Sequence, residues 1–447
     1  MRRPLPDPAA ATLTRSALLV ACGLAVAGAT WAAARGLEPT RTWYYLFAWY
    51  PTLVALDVVT APRAGGLFWL DRPRFALGLF AWAVPGWCLF ELLNFRVVNW
   101  YYVFVPHDRA EHWLGTAASF ATVFAAMWLG ARAMAALGLA RDWRIRPWRV
   151  TPRLRRACAA LGLLSLALAL LWPRVFYPAT WGSITLLLEP WNYGRDPRRS
   201  LLGDLERGEP GRLVQLAAGG LFIGLVWEAY NAVAGAKWIY TVPGFEEWKL
   251  FEMPLLGFFG FSVFALDAFV LLQSLVLLGV ARPPERDTAA PPLAARRVAL
   301  AALAAAVFVV GVLWGIERFT ISSYAPRTAD FDAIPADARR ALAKAGYADV
   351  RTLAAATAAE VAPVVRAADA QEIGEWIAAA RLATLRGIGT ENAEALRRVG
   401  VRSVAELARA DPARLFERLR SAGSMDTGLR EPQVRVWVRA ARRASGA

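Results

Sequence analysis

Histidine and cysteine are nearly missing from this chain of 447 residues, which has two of the first and three of the second. Cys22, Cys88 and Cys158 sit in or beside apolar runs. They are too scattered for a disulfide framework or a thiolate metal site and read as small packing residues. His107 and His112 flank the stretch "HDRAEH". A His-x4-His pair with no further ligand at a known spacing reads as a solvated loop, so no metal centre is expected. A Gly-rich phosphate loop, a serine nucleophile elbow and a metalloprotease helix are also absent, and no cofactor is expected. Lysine is scarce too, so the net charge of +15 is carried almost wholly by arginine.

What the chain has in abundance is apolar residues, at 57%. Runs of roughly 20 such residues, enough to cross about 30 Å of hydrocarbon, recur from Ala17 to Ile316. Nine spans are expected, near residues 17–34, 43–61, 75–95, 113–135, 157–173, 175–190, 213–233, 252–280 and 298–316. "MRRP" before the first span resembles a signal-peptide start, but no clear cleavage site follows, and the segment reads as a retained helix. With the N-terminus inside, segments 1–16, 62–74, 132–156, 191–212 and 281–297 hold 23 Arg, against 7 Lys or Arg in the opposite loops. That bias expects a cytoplasmic N-terminus. Nine crossings then put the C-terminal domain on the outer side of the cell membrane.

The membrane part repeats itself. "FELLNFRVVNWYYVFVP" (Phe90 to Pro106) is answered by "WEAYNAVAGAKWIYTVP" (Trp227 to Pro243), with Glu91, Asn94, Trp100, Tyr102 and Pro106 opposite Glu228, Asn231, Trp238, Tyr240 and Pro243. Earlier, "WYP" ending at Pro51 matches "FYP" ending at Pro178. Each copy holds four spans, an even number, so the copies run parallel, and a shared site is expected between them. In each copy Glu and Asn, three residues apart, share one helix face just before an aromatic loop.

A carboxylate in hydrocarbon is unfavourable by about 2.5–3.5 kcal/mol at a helix centre, so Glu91 and Glu228 need partners. One reading is a structural hydrogen-bond cluster inside an interfacial aromatic belt. The other is a paired-carboxylate cavity in which Glu91, Asn94, Glu228 and Asn231, joined by Glu252 and Asp267, act on a ligand, proton or cation. The run "YTVPGFEEWKLFEMPLLGFFGFSVFALDAF" (Tyr240 to Phe269) is weakly similar to the repeated membrane units of the lycopene cyclase family. That resemblance implies acid-catalysed chemistry on an isoprenoid lipid, although the family's paired-glutamate and paired-phenylalanine signature is missing around Ala265, Leu266 and Asp267.

Composition shifts near Phe331 from apolar to a mixture of Ala, Arg and acids, marking a soluble domain. Here too the sequence repeats: Gly346, Val350, Leu353 and Val361 return 54 residues later as Gly400, Val404, Leu407 and Leu415. "LRGIGTENAEALRRVGVRSVAELARADPARL" resembles helix-hairpin-helix domains, including those of an uncharacterised bacterial family and of recombinase N-terminal domains. Gly387 and Gly389 permit a tight turn, Ile388 plugs the core between two helices, and amides at the next helix start can hold a phosphate. Arg386, Arg397, Arg398 and Arg402 would supply backbone charge contacts. The first unit has no such turn.

The expected protein is therefore all-α and built in four segments: membrane repeat 1 (1–156), membrane repeat 2 (157–281), a last span with its linker (282–330), and a tandem helix-hairpin-helix domain (331–447). Two functions are expected to compete. One is a membrane scaffold whose tail docks a protein partner, itself or a nucleic acid. The other is a membrane-embedded enzyme or transporter acting on a lipid or small solute.

Overall fold

The computed structural model describes residues 8–242, 248–283, 293–365, 368–423 and 429–446. Pro243 of the repeat and much of the arginine-bearing connection 281–297 lie outside them. The protein is mostly helical, at 72%, and it divides into two compact units. The first comprises Met1–Asn99, Trp113–Ala234 and Val242–Trp314; the second comprises Trp100–His112, Gly235–Thr241 and Gly315–Ala447.

The chain begins with α1 (Pro8–Ala34), α2 (Tyr44–Ala64), the single turn α3 (Phe68–Asp71) and α4 (Pro73–Val97). After a short strand come α5 (Arg109–Ala121) and α6 (Val123–Ala136), separated only by Thr122. The series then recurs as α7 (Pro152–Leu171), a turn α8 (Pro173–Phe176), α9 (Ser183–Arg195), α10 (Leu201–Arg207), α11 (Gly211–Val233) and α12 (Phe258–Leu277), and α13 (Ala295–Phe319) follows. Among the described residues seven helices are long and apolar enough to cross a membrane: Thr12–Ala34, Pro73–Val97, Arg109–Ala136, Pro152–Leu171, Gly211–Val233, Leu255–Leu277 and Ala295–Phe319.

Two of the nine expected spans are not among these seven. The one at 43–61 is a helix, α2, but Tyr44, Tyr45, Tyr50, Pro51 and Asp57 dilute its apolar character. The one at 175–190 is broken: Pro173 and Pro178 hold a turn and a 3-10 segment, and α9 starts only after Gly182, which has a left-handed backbone. The "WYP" and "FYP" match fails as well, because Pro51 lies inside α2 whereas Pro178 lies in the 3-10 turn before α9.

The packing nevertheless repeats. α1 packs on α2 as α7 does on α9; α4 packs on α6 as α11 does on α12; and α2 packs on α6 as α9 does on α12. Each copy also carries one buried acid that closes the next short helix. Asp57 of α2 accepts from the Phe68 and Trp69 amides at the start of α3, at 3.2 and 3.3 Å, and pairs with Arg132 of α6 at 2.6 Å. Glu189 of α9 accepts from the Leu202 amide at 2.8 Å and the Ser200 hydroxyl at 2.5 Å, at the start of α10. Orphan amides of a helix start are thereby satisfied away from water.

The two copies meet where α6 crosses α11. Gly130 and Gly219 face each other there, and a methyl on Gly219 would stand 2.4 Å from the carbonyl carbon of Gly130. Small residues let the backbones approach in this way, gaining dispersion contacts along both helices.

In the second unit the strand after α4, β1 (Trp100–Val103), pairs antiparallel with the strand after α11, β2 (Lys237–Tyr240). Trp100 lies opposite Tyr240 and Tyr102 opposite Trp238. Because Trp100 corresponds to Trp238 and Tyr102 to Tyr240 in the sequence repeat, this register is that of a two-fold axis through the Tyr101/Ile239 pair. The segment after α13 adds a third, parallel line. Tyr102 donates to Thr320 at 2.8 Å, Ser322 donates to Tyr102 at 2.8 Å, and Ala325 donates to Val105 at 2.9 Å, all through backbone groups.

The rest of this unit is helical: α14 (Ala336–Lys344), α15 (Val350–Ala355), α16 (Ala358–Val361), α17 (Ala370–Thr384), α18 (Gly389–Arg398), α19 (Val404–Arg409), α20 (Pro412–Ser421) and α21 (Glu431–Ala444). The 54-residue repeat appears as matching caps. Asp349 starts α15 as Ser403 starts α19, and Thr357 starts α16 as Asp411 starts α20. Gly346 and Gly400 hold the same left-handed turn, with φ of 93° and 83°. Both copies of this 54-residue repeat share one core that includes Leu342, Leu353, Trp376, Ile388, Leu396, Leu407 and Trp437.

The glycine crossing gives a direct test. Gly219→Leu should drive α6 and α11 apart and lower stability by about 1–3 kcal/mol, whereas Gly311→Leu on α13, where a side chain meets nothing within 4 Å, should be tolerated. Thermal unfolding of the detergent-purified protein measures both, and equal midpoints would show that the close approach carries no stability.

Candidate functional site

The four side chains singled out in the membrane repeat are all interior. Glu91 and Asn94 near the end of α4, and Glu228 and Asn231 near the end of α11, are at most 1% exposed. Glu91 accepts from the Trp87 indole at 2.8 Å. Asn94 accepts from the Asn99 amide at 2.9 Å, closing the end of α4 where Val98 takes a left-handed backbone.

The two helices meet through rings. Trp87 lies 5.8 Å from Trp227, centroid to centroid, and Trp49 of α2 lies 5.9 Å from the same ring. Phe90, Trp181 and Phe264 extend the cluster, and Tyr230 shares a hydrogen bond with Thr52 at 2.7 Å. One aromatic cluster thus spans both copies beside both glutamates. Ring pairs of this kind add about 0.5–1.5 kcal/mol each beyond their buried area.

Glu252 and Asp267 stand differently. Glu252 is buried in the tight hairpin between β3 (Lys249–Leu250) and β4 (Met253–Pro254). Asp267 of α12 accepts from the Gly182 amide at 2.9 Å, the Thr185 amide at 2.8 Å and the Thr185 hydroxyl at 2.6 Å. Those three donors are the opening of α9, so Asp267 works as a cap from a neighbouring helix. Its donors lie some eighty residues upstream, which is why local sequence could not reveal the role.

The Gly387-Ile388-Gly389 segment of the C-terminal unit is a tight turn. Between α17 and α18 the backbone turns through Arg386, Gly387 and Gly389 at φ of 33°, 80° and 75°. Ile388 is fully buried in the core. The outer side of this turn is filled by the chain itself. The Ser323 hydroxyl donates to the Gly387 carbonyl at 2.9 Å and accepts from the Phe104 amide at 3.2 Å. Asn392 donates to the carbonyls of Ser322 and Ile388 at 2.8 and 2.7 Å. A methyl on Gly387 would meet Val103 of β1 at 2.5 Å, and one on Gly389 would meet Ser323 at 2.4 Å. The expected phosphate set is also spread out: Arg397 turns back to Glu375 of α17 at 3.7 Å, while Arg398 is exposed.

The "HDRAEH" stretch departs from the loop reading. Its His112 is buried at 4% exposure, within 4.0 Å of Glu317. His107 bonds the Ala325 carbonyl at 2.8 Å, lies 3.5 Å from Asp330 and stacks on Tyr324. Their partners lie about two hundred residues away, so spacing alone offered no signal. Among the described residues no group of three or more His, Cys, Asp or Glu is placed to hold a metal ion.

These features define a repeated helical protein with several membrane-length apolar helices and a tandem-repeat C-terminal unit. Residues 333–444, which span nearly all of that unit, match the family described as a domain of unknown function, DUF4332. No curated protein matches the chain, and neither does any solved structure.

Ser323 is the joint of the hairpin. Ser323→Ala removes the partner of a buried amide and of a buried carbonyl, an expected loss of about 1–3 kcal/mol. Hydrogen exchange should quicken selectively at Phe104 and at residues 385–392. Unchanged protection there would mean that the hydroxyl contributes nothing to the joint.

Proposed function

We propose that this protein is a membrane-embedded scaffold whose helix-hairpin-helix-like tail is fastened by its own hairpin and offers its remaining surface to a protein partner. The observation that carries this reading is the seat of Gly387–Gly389 on Ser323 and Val103. A turn filled this way has little room for a nucleic acid backbone. Arg398, Arg402, Arg409 and Arg414 lie exposed on the same tail and suit an acidic protein surface.

The membrane arrangement follows from chain continuity. α4, α11 and α13 each end where the chain enters the second unit, and that unit contains both repeat connections and the tail. The pairing of β1 with β2, a few residues after α4 and α11, favours one side of the membrane for both helix ends. Between the ends of α4 and α11 the seven-helix count allows three crossings, α5–α6, α7 and α11, which would put the two ends on opposite faces. A fourth return is required, and α9 is the segment available. At about 20 Å for 13 residues it is short for the hydrocarbon, and the turn-rich stretch from Pro173 completes it. By repeat equivalence α2 does the same in the first copy, and the nine-span reading is supported. The arginine bias then favours a cytoplasmic N-terminus and an outer tail.

A second reading keeps one specific observation. Glu91 and Glu228 are both fully buried beside a single aromatic cluster, a setting that also suits an intramembrane enzyme or transporter acting on a lipid, isoprenoid or small solute.

Reporters fused after Ala447 and inserted in the 191–212 connection should sit on opposite sides of the membrane. A photo-crosslinking residue at Arg398 or Arg402 should yield a discrete protein adduct in cells, lost when Arg409 and Arg414 are both made Glu and kept in Glu228→Gln. Reporters on one side would overturn the topology, and adducts indifferent to the charge reversal would overturn the scaffold. Loss of a cellular phenotype in Glu228→Gln with the adduct intact would instead favour the second reading.

A further inference from the structure

Both histidines of the chain line one cavity in the second unit. Its walls are Pro106, His107, Arg109, His112, Glu317 and Tyr324, and its volume is about 340 Å³. Arg109 and Glu317 face each other across two contacts of 3.1 Å. The Arg109 side chain is 70% exposed and that of Glu317 is 14% exposed, so the guanidinium forms the rim and the carboxylate lies deep. His112 borders the carboxylate, and the Ala325 carbonyl and the Tyr324 ring hold His107 in place.

The charge pattern selects the ligand. The lining holds one guanidinium, Arg109, and one carboxylate, Glu317, of opposite charge. A bare anion attracted by Arg109 would meet Glu317, and a bare cation attracted by Glu317 would meet Arg109. A molecule carrying both charges a few ångströms apart can extend the Arg109–Glu317 pair, its anion beside the guanidinium and its cation beside the carboxylate, with no like charges opposed. We propose that this cavity binds a zwitterionic phosphate headgroup of the phosphoethanolamine type, its phosphate on Arg109 at the rim and its ammonium on Glu317 below.

Position selects the source. Arg109 is the first residue of α5 and Glu317 stands two residues before the end of α13. Both belong to helices apolar enough to cross a membrane, so the charged pair sits where an apolar helix gives way to polar chain, the depth of lipid headgroups. A phospholipid is therefore the favoured carrier. The inference rests on the membrane reading for this choice of source and is independent of the scaffold reading.

The full chain, purified in detergent, is titrated with phosphatidylethanolamine, phosphatidylglycerol or phosphatidylcholine of identical acyl chains and observed by native mass spectrometry. Phosphatidylethanolamine should be retained roughly fivefold better than either of the others, a difference of about 1 kcal/mol, because glycerol carries no charge for Glu317 and a trimethylammonium cannot donate to it. Glu317→Gln should abolish the preference, Arg109→Gln should weaken retention of every phospholipid, and Asp332→Asn at an exposed site should change nothing. Free phosphoethanolamine should compete; binding of the free compound with no lipid preference would keep the headgroup chemistry and reassign its source to a soluble molecule. Equal retention of all three lipids with no effect of the free compound overturns the proposal, as does a preference that survives both Gln variants. Should a Gln variant fail to fold, Arg109→Lys keeps the charge without the planar fork, and phospholipid retention must still fall. The adduct at Arg398 does not depend on any of these variants, so the two readings fail separately.

Discussion

The pairing of β1 with β2 is the constraint around which the second unit is organised. Four residues from each copy of the membrane repeat exchange backbone hydrogen bonds in a register that matches Trp100 to Tyr240 and Tyr102 to Trp238. A hairpin pair this short is marginal alone in water. Here it gains a third line from residues 320–325, and Tyr101, Val103 and Ile239 are fully buried, with Val436 of α21 joining their cluster. The ribbon thus joins the two repeat connections, residues 100–112 and 235–241, to the tail within the second unit, and Val103 supplies part of the surface on which the Gly387 turn rests.

Much of this was legible in the residues, because repeats and periodicity are local signals. Trp100/Trp238 and Tyr102/Tyr240 were aligned on sequence alone, and the ribbon register is the geometry that alignment demands. Seven apolar helices fall where the hydropathy put them, and the Gly387-Ile388-Gly389 turn has the dihedrals its glycines allow. What escaped were partnerships across long separations. Asp57 and Glu189 hold equivalent positions, yet one is Asp and the other Glu, and the helices they close differ in length, α3 against α10. Ser323 is an ordinary serine in a linker until Phe104 and Gly387 meet it. No spacing rule connects residue 107 to residue 325.

The membrane acids divide by what surrounds them. Asp57, Glu189 and Asp267 each accept from amides or hydroxyls at the start of a helix, and this is how buried carboxylates become tolerable: the donors replace water. Asn94 does the same for an amide just past the end of α4. Glu91 and Glu228 stand beside the aromatic cluster that joins the two copies, and Glu91 accepts from the Trp87 indole. Two glutamates thus stand at matching positions of both copies, each beside the same aromatic cluster.

The turn at Gly387–Gly389 packs inward on its own chain. Its left-handed glycines turn a carbonyl and a helix start toward whatever packs on the turn, and both are buried. In this chain the backbone they meet is residues 322–323 and Val103, so the affinity of the turn is spent on its own polypeptide, where the effective concentration is fixed by the linker from α13. An external partner that used the same turn would have to displace contacts already held intramolecularly. In the second half of the tail the turn leaves Arg398, Arg402, Arg409 and Arg414 exposed. The inward turn and the outward charge are then two sides of one arrangement, in which the first anchors the unit.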